Sequence, residues 1–337
     1  MAALFGLPYI LPEKTLKSGE NILDFWEKLE AEKLNQKCCR MILSVNKKTS
    51  RLALLGELGR YSILISCLTQ CLNYKLSLLT SKTTSDLLGH VMTEMSVMCE
   101  GGHDTWLTRV NKIEKFLNLP KLRRFTKSTG KQLSSVLKSK FDIHWLGKVK
   151  TPKLGPDNID HNKLRTYRTF KASFTREPYI DLVRNRNQRS FLTRLRVSSH
   201  NLAIERGRYT RPITPIDQRT CSYCKPPPTH PPPPCTPAAP PWCPPPRGTS
   251  STHQPDTDFH FLLECPTFNV ESNCLLGKMS SIEPDFPSLI GNDKFVKLLC
   301  PTDAQMAKLS NKLIKVMFEA RNKLDLGESI NQFEFSI

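Results

Sequence analysis

RTCSYC (219–224) and DFHFLLECP (258–266) are the stretches that decide how the second half of this chain folds. The first places Cys221 and Cys224 as C-x2-C, and the second places His260 and Cys265 as H-x4-C. A zinc ion takes four thiolate or imidazole donors in a tetrahedron. A C-x2-C turn delivers two sulfurs to one point, and in a protein that keeps its thiols reduced that spacing points to metal. His260 and Cys265 fit a helical turn or a tight corner. They also sit among Phe259, Phe261, Leu262 and Leu263, so on their own they read equally as core residues. Taken together, the four specify one structural Zn2+ ligated by Cys221, Cys224, His260 and Cys265.

The spacer between the pairs is long: 35 residues separate Cys224 from His260. Residues 225–255 hold 14 of the 26 prolines in the chain. That density blocks helices and sheet ladders and favours extended polyproline II. The stretch reads as a disordered, Pro-rich insert, or else as accidental text such as translated repeat DNA. Lengthening a loop from about 10 to about 35 residues costs roughly 1 kcal/mol of closure entropy. Structural zinc contributes about 10 kcal/mol or more, so the knuckle can still close. His230, Cys235, Cys243 and His253 lie inside the insert as competing donors without fixed geometry. As a genuine segment, PPPTHPPPP offers bait for SH3- or WW-type domains, the mark of a protein-interaction module.

Directly upstream lies one of the most basic stretches of the chain. Lys163–Arg211 carries 13 Lys or Arg against Glu177, Asp181 and Glu205, a net of +10 out of +18 for the chain. An excess of this size favours polyanions, chiefly RNA and/or DNA, although a basic protein without a specific partner shows the same number. Residues 188–206 read as one helix, with Leu192, Leu195, Ser199 and Leu202 on one face and Arg186, Arg189 and Arg196 on another. Arg184, Arg186, Arg189, Arg194, Arg196, Arg206 and Arg208 are the candidate phosphate contacts, since guanidinium pairs with two phosphate oxygens at once. Tyr167, Phe170 and Tyr209 are interleaved and can stack on unpaired bases. The competing reading places Phe170 and Phe191 in the core and pairs some arginines with Glu177, Asp181 or Glu205.

The first half is helical text. Helices are expected at 22–45, 50–58, 61–79, 86–99, 106–119 and 129–147, with Thr49 or Ser50 and Ser85 as caps. Gly56 and Gly59 weaken the second of these. A linker is expected around Thr151-Pro152 and Gly155-Pro156, and further helices at 267–278, 291–299 and 303–324. The fold class is therefore mainly α: a helical domain (1–150), a basic helical segment (151–212), a small zinc-knuckle module (213–275) interrupted by the insert, and C-terminal helices (276–337). The run 61–79 contains Ser62, Ser66, Thr69, Gln70, Asn73 and Lys75 and reads as a buried helix with no membrane role. MAALFGLPYI is cut off by Pro12, Glu13 and Lys14, which does not read as a signal peptide. Twelve cysteines without a secreted pattern fit reduced thiols in an intracellular protein, nuclear and/or cytoplasmic.

LRTYRTFKASFTREPYIDLVRNRNQRSFLTRLRVSSHNLAIERGRY (164–209), then RTCSYC, then DFHFLLECP resembles, in order, the C-terminal, post-polymerase region of LINE-type non-LTR retrotransposon reverse transcriptase proteins. DFWEKLEAEKLNQKCCRMILSVNKKTSRLALLGELGRYSI (24–63) is similar to the segment that follows the polymerase in that family, and 291–322 also fits. The resemblance implies a zinc knuckle on Cys221, Cys224, His260 and Cys265 in a region that helps grip template RNA and target DNA. The family has a short acidic loop where this chain has 225–255, which is what a decayed, non-functional relic would also show. Polymerase chemistry needs paired aspartates for divalent metal, and the chain has no Asp-Asp pair. Tyr179-Ile180-Asp181-Leu182 is the nearest echo and reads as the start of a helix. Asp293 and Lys294 are adjacent, the wrong spacing for a nuclease metal site with Asp285. Phosphate loops, G-x-S-x-G and H-E-x-x-H are absent. Binding without catalysis is the expectation.

Overall fold

The computed structural model describes residues 22–25, 30–80, 86–119, 126–155, 160–224 and 254–327. These are mainly helical and contain no strand, only isolated bridges. The Pro-rich insert, apart from Gln254 and Pro255, and with it the SH3/WW bait and the competitors His230, Cys235, Cys243 and His253, lies outside the described residues. Ser85, expected to cap a helix, lies outside them too. The chain divides into two units. One comprises Met1–Ile42, Arg51–Thr151 and Lys171–Arg176, and the other Leu43–Ser50, Pro152–Phe170 and Glu177–Ile337.

The first unit is built from α1 (Ile22–Phe25), α2 (Glu30–Leu43), α3 (Arg51–Leu58), α4 (Ile63–Thr80), α5 (Asp86–Glu100), α6 (Trp106–Phe116) and α7 (Lys127–Lys150). Thr105 and Thr126 close capping boxes at the starts of α6 and α7. Buried Glu32 of α2 accepts from Ser62 Oγ at 3.0 Å and from the Ile63 N–H at 2.9 Å, so a carboxylate sits on the positive end of α4. Trp145 of α7 is fully buried and donates its indole N–H to the Leu52 carbonyl at 2.9 Å. Gly59 ends α3 at φ +55°, where a Cβ would stand 2.4 Å from the Arg176 nitrogen; only glycine fits that crossing. No single helix among the described residues is long and apolar enough to cross a membrane.

The second unit holds α8 (Tyr167–Phe170), α9 (Pro178–Leu182), α10 (Ser190–Arg196), α11 (Ala203–Arg206), α12 (Asn269–Ser280), α13 (Gly291–Leu299) and α14 (Ala304–Asp325). Most of the basic segment (all but Thr151 and Lys171–Arg176), the Cys/His cluster and the C-terminal helices thus fall in one body. At its centre α10 lies on α14. Helix α10 has no cap of its own, and Asn311 of α14 supplies one: its Oδ1 accepts from the Phe191 and Leu192 N–H groups at 2.9 and 3.2 Å. Phe318 of α14 packs on Phe261, with ring centroids 4.6 Å apart. Asp303 caps α14 through Gln305 and Met306, as its position before the apolar period suggests.

The expected single helix over 188–206 is corrected to two short ones. Helix α10 stops after Arg196 and α11 begins at Ala203. Ser198 between them takes φ 51°, a left-handed conformation that breaks the helix. The intervening polar side chains have tertiary partners: Ser199 Oγ accepts from the Asn46 N–H at 3.0 Å, and His200 pairs with buried Asp258.

Candidate metal centre

Cys221, Cys224, His260 and Cys265 converge, with every donor atom within 4.8 Å of every other. Local backbone brings the pairs together. Residues 219–221 and 254–256 run antiparallel: the Cys221 N–H donates to the Gln254 carbonyl at 3.0 Å and the Asp256 N–H to the Arg219 carbonyl at 2.9 Å. That pairing draws the two ends of the insert together. His260–Glu264 then forms a π-type turn in which the Cys265 N–H donates to the His260 carbonyl at 2.8 Å. The wider turn sets side chains five residues apart over each other.

The geometry fits a tetrahedral ion. A zinc with sulfur at about 2.3 Å and nitrogen at about 2.0 Å implies donor–donor edges of about 3.5 to 3.8 Å. The edges here are 3.9 Å for Cys221–Cys265, 3.4 Å for Cys224–Cys265 and 3.2 Å for Cys224 to His260 Nε2. The other ring nitrogen, Nδ1, is buried without a hydrogen-bond acceptor and faces the Glu264 carboxylate at 3.6 Å. Metal-bound imidazole commonly turns its second nitrogen toward a carboxylate in this way. Cys221, His260 and Cys265 are buried and Cys224 is half-buried.

The electrostatics of the four donors point the same way. The hydrogen bond from Cys265 draws the Cys221 thiol down to about 3, against burial and with help from His260. Giving that bond, together with burial, pushes the Cys265 thiol far above its ordinary range. Burial also raises Cys224. Burial depresses His260, but the Cys221 thiolate outweighs it and holds the imidazole above its usual value. Three thiols and an imidazole are crowded where only one of them readily ionises. A divalent cation removes that conflict by stabilising every donor in its ligating form. Cys221, Cys224, His260 and Cys265 are the residues that would hold it.

Several side chains fix the cluster to α14. Asp256 and Arg321 form a buried two-pronged ion pair. Tyr223, between the two cysteines of the first pair, donates its hydroxyl to Asp325 and lies 5.1 Å from the Arg321 guanidinium. Behind His260, Asp258 is fully enclosed and pairs with His200 and Thr166, with Arg165 at 3.7 Å. Burial opposes ionisation of Asp258, yet the His200 charge and hydrogen bond, with Arg165 and Thr166, hold its carboxyl at about 2. None of these partners was singled out from the sequence. Arg321 carried a signal, because it follows Met317 and Phe318 at helical spacing and so falls on the apolar face of α14.

The candidate phosphate contacts separate into two groups. Arg196 is completely buried; it pairs with Glu177 at 2.5 Å, donates to the Leu299 carbonyl and stacks over Phe170 and Tyr179. Arg189 is buried and donates to the Val183 and Arg184 carbonyls at 2.6 and 2.7 Å. Both are structural, which corrects their assignment to phosphate. Arg194 donates to the Ser44 carbonyl at 2.9 Å, and Arg208 to the His161 carbonyl at 2.6 Å with Glu205 beside it. Arg184, Arg186 and Arg206 are exposed. Of the aromatic candidates, Tyr167 is fully buried, Phe170 carries the Arg196 guanidinium, and Tyr209 is exposed. Tyr179–Leu182 falls within α9, and the Tyr179 hydroxyl bonds Thr193 at 3.0 Å.

No family model, no curated protein and no solved structure matches this chain.

Proposed function

We propose that this chain is a zinc-stabilised nucleic-acid-binding protein without catalytic activity, of the kind found after the polymerase in LINE-type retrotransposon reverse transcriptase proteins. The observation that carries the proposal is the convergence of Cys221, Cys224, His260 and Cys265, the two pairs 36 and more residues apart across the insert, into one compact donor set. The Glu264 carboxylate facing His260 and the buried Asp256–Arg321 pair beside the cluster support a preserved site over a decayed relic. The exposed arginines and the net charge of +18 supply the attraction for phosphate. Zinc in this reading is structural: four protein ligands leave it no open position for substrate.

Elemental mass spectrometry on the purified chain tests the metal. One zinc per chain is expected, lost in both Cys221→Ser and Cys265→Ser. Zinc retained in those variants, or absent from the wild type, overturns the assignment. Binding of single-stranded RNA and of duplex DNA, titrated with salt, tests the partner, and affinity should fall steeply as salt rises. Primer extension by the purified chain would overturn the non-catalytic reading.

A further inference from the structure

Tyr209, just after α11, is 45% exposed and stands among lysines and arginines of the second unit. The Lys48 ammonium lies 3.5 Å from its ring centroid. The Lys163 ammonium is 3.5 Å from its hydroxyl and anchored on the Lys48 carbonyl at 2.9 Å. Beneath them a single carboxylate, Glu205, serves Arg165 at 2.7 Å, Arg208 at 3.0 Å and Lys163 at 4.0 Å. Asp258, the next acid, is taken up by His200. Lys163, Arg165 and Arg208 therefore crowd around Glu205, with Arg165 also 3.7 Å from Asp258, while Lys48 has only the Tyr209 ring beside it, and buried Nη2 of Arg208 has no acceptor. Burial pushes the Lys163 ammonium down, and repulsion from Arg208, Lys48 and Arg165 adds to it against Glu205. An incoming anion relieves this excess.

The ligand must use both halves of the site. A bare phosphate would use the cations and leave the aromatic ring idle, whereas an unpaired nucleotide offers a phosphate and a flat base at the same reach. Aromatic stacking on single strands tolerates any base, because every base has a π-face. A duplex keeps its base faces stacked inside and offers only phosphate. We infer that Tyr209, ringed by Lys48, Lys163 and Arg208, seats one unpaired nucleotide of a single-stranded nucleic acid, with the base on the open surface of the ring and the phosphate drawn to the ammonium groups. This rests on the nucleic-acid-binding reading above and adds to it a strand preference and a residue that sets it.

The test is fluorescence anisotropy of the full, zinc-loaded chain with a short oligouridylate, the same oligomer made abasic, and a duplex of equal length. Tyr209→Ala should weaken oligouridylate binding by about tenfold, the loss of one stacked base. It should leave duplex and abasic binding unchanged, and Tyr209→Phe should bind like the wild type. Lys48→Gln should instead lower affinity for all three probes and flatten the salt dependence by about one phosphate. Unaltered zinc content in each variant shows that the fold is intact. Oligouridylate binding by Tyr209→Ala equal to wild type, or an equal loss in Tyr209→Phe, overturns the stacking site while leaving nucleic-acid binding in place. A wild-type chain that binds none of the three probes overturns both readings.

Discussion

Arg321 and Asp256 are joined by two parallel hydrogen bonds, Nη1 to Oδ1 at 2.9 Å and Nη2 to Oδ2 at 2.7 Å, with both side chains almost wholly buried. Asp256 lies in the segment that pairs with Arg219 beside Cys221 and Cys224, and its Oδ2 also accepts from the Ala203 N–H that opens α11 at 2.5 Å. One carboxylate therefore ties the knuckle to α14 and to the basic segment. The ion pair holds Arg321 in its charged form more firmly, although burial works against it. Leaving one member of such a pair alone in the interior costs about 3 to 5 kcal/mol. Arg321→Met should destabilise the second unit by that order in denaturant unfolding. Arg321→Lys should recover only part of the loss, because an ammonium cannot span both oxygens. Wild-type stability in Arg321→Met would remove the pair from the architecture of the knuckle.

Metal binding at the Cys/His cluster should be indifferent to the donors in the insert. Cys221, Cys224, His260 and Cys265 are already assembled by backbone pairing and a π-type turn, so a thiol elsewhere must break that geometry to compete. Cys235→Ser with Cys243→Ser should retain one zinc per chain. Cobalt substituted into that variant should give the intense ligand-field bands of a tetrahedral thiolate-rich site, unchanged from the wild type. Loss of the bands would place the metal in the insert.

The convergence of Cys221, Cys224, His260 and Cys265 was legible in the sequence because donor spacing is a local property: a C-x2-C turn and a five-residue turn each place two donors with little help from the rest of the fold. The helices of the first unit and α14 were legible for a similar reason, since long amphipathic periods leave few alternatives. The fates of the arginines were not legible. Arg186, Arg189 and Arg196 look alike in a charge count, yet Arg196 is the counter-ion of Glu177 in the core while Arg186 faces outward. Three acids among thirteen cations correctly signalled an excess, but which cations the acids claim depends on tertiary packing. The break at Ser198 was hidden for the same reason, because Ser199 and His200 find partners in Asn46 and Asp258, far away in sequence.

In the first unit, burial raises the Asp142 carboxyl above its ordinary value, only partly offset by the Tyr61 hydrogen bond at 3.4 Å and by Lys138. Tyr61 in turn is pushed up to about 12 by burial and by Asp142. A carboxyl that holds its proton more tightly when folded favours the native state at low pH. That contribution is lost as pH rises through the folded pKa, so at neutral pH the ionised group is a liability. Asp142→Asn should raise the denaturant midpoint at neutral pH and give no gain in mild acid. A variant less stable than wild type at neutral pH would show that the Tyr61 contact outweighs the cost of burial.

The two classes of arginine should separate in a pair of measurements. Arg184 and Arg186 are exposed on the stretch between α9 and α10, and Arg196 is enclosed between Glu177, Phe170 and Tyr179. Arg184→Gln and Arg186→Gln should each lower the slope of log affinity against log salt by about 0.7 to 0.9, one phosphate contact each. Arg196→Gln should do the reverse: a loss of about 3 to 5 kcal/mol from stranding Glu177 in the interior, with the salt slope of the remaining folded protein intact. A salt slope unmoved by both exposed substitutions would shift the polyanion surface away from 184–186 and onto the cations around Tyr209, which Lys48→Gln would then confirm or exclude in the same assay.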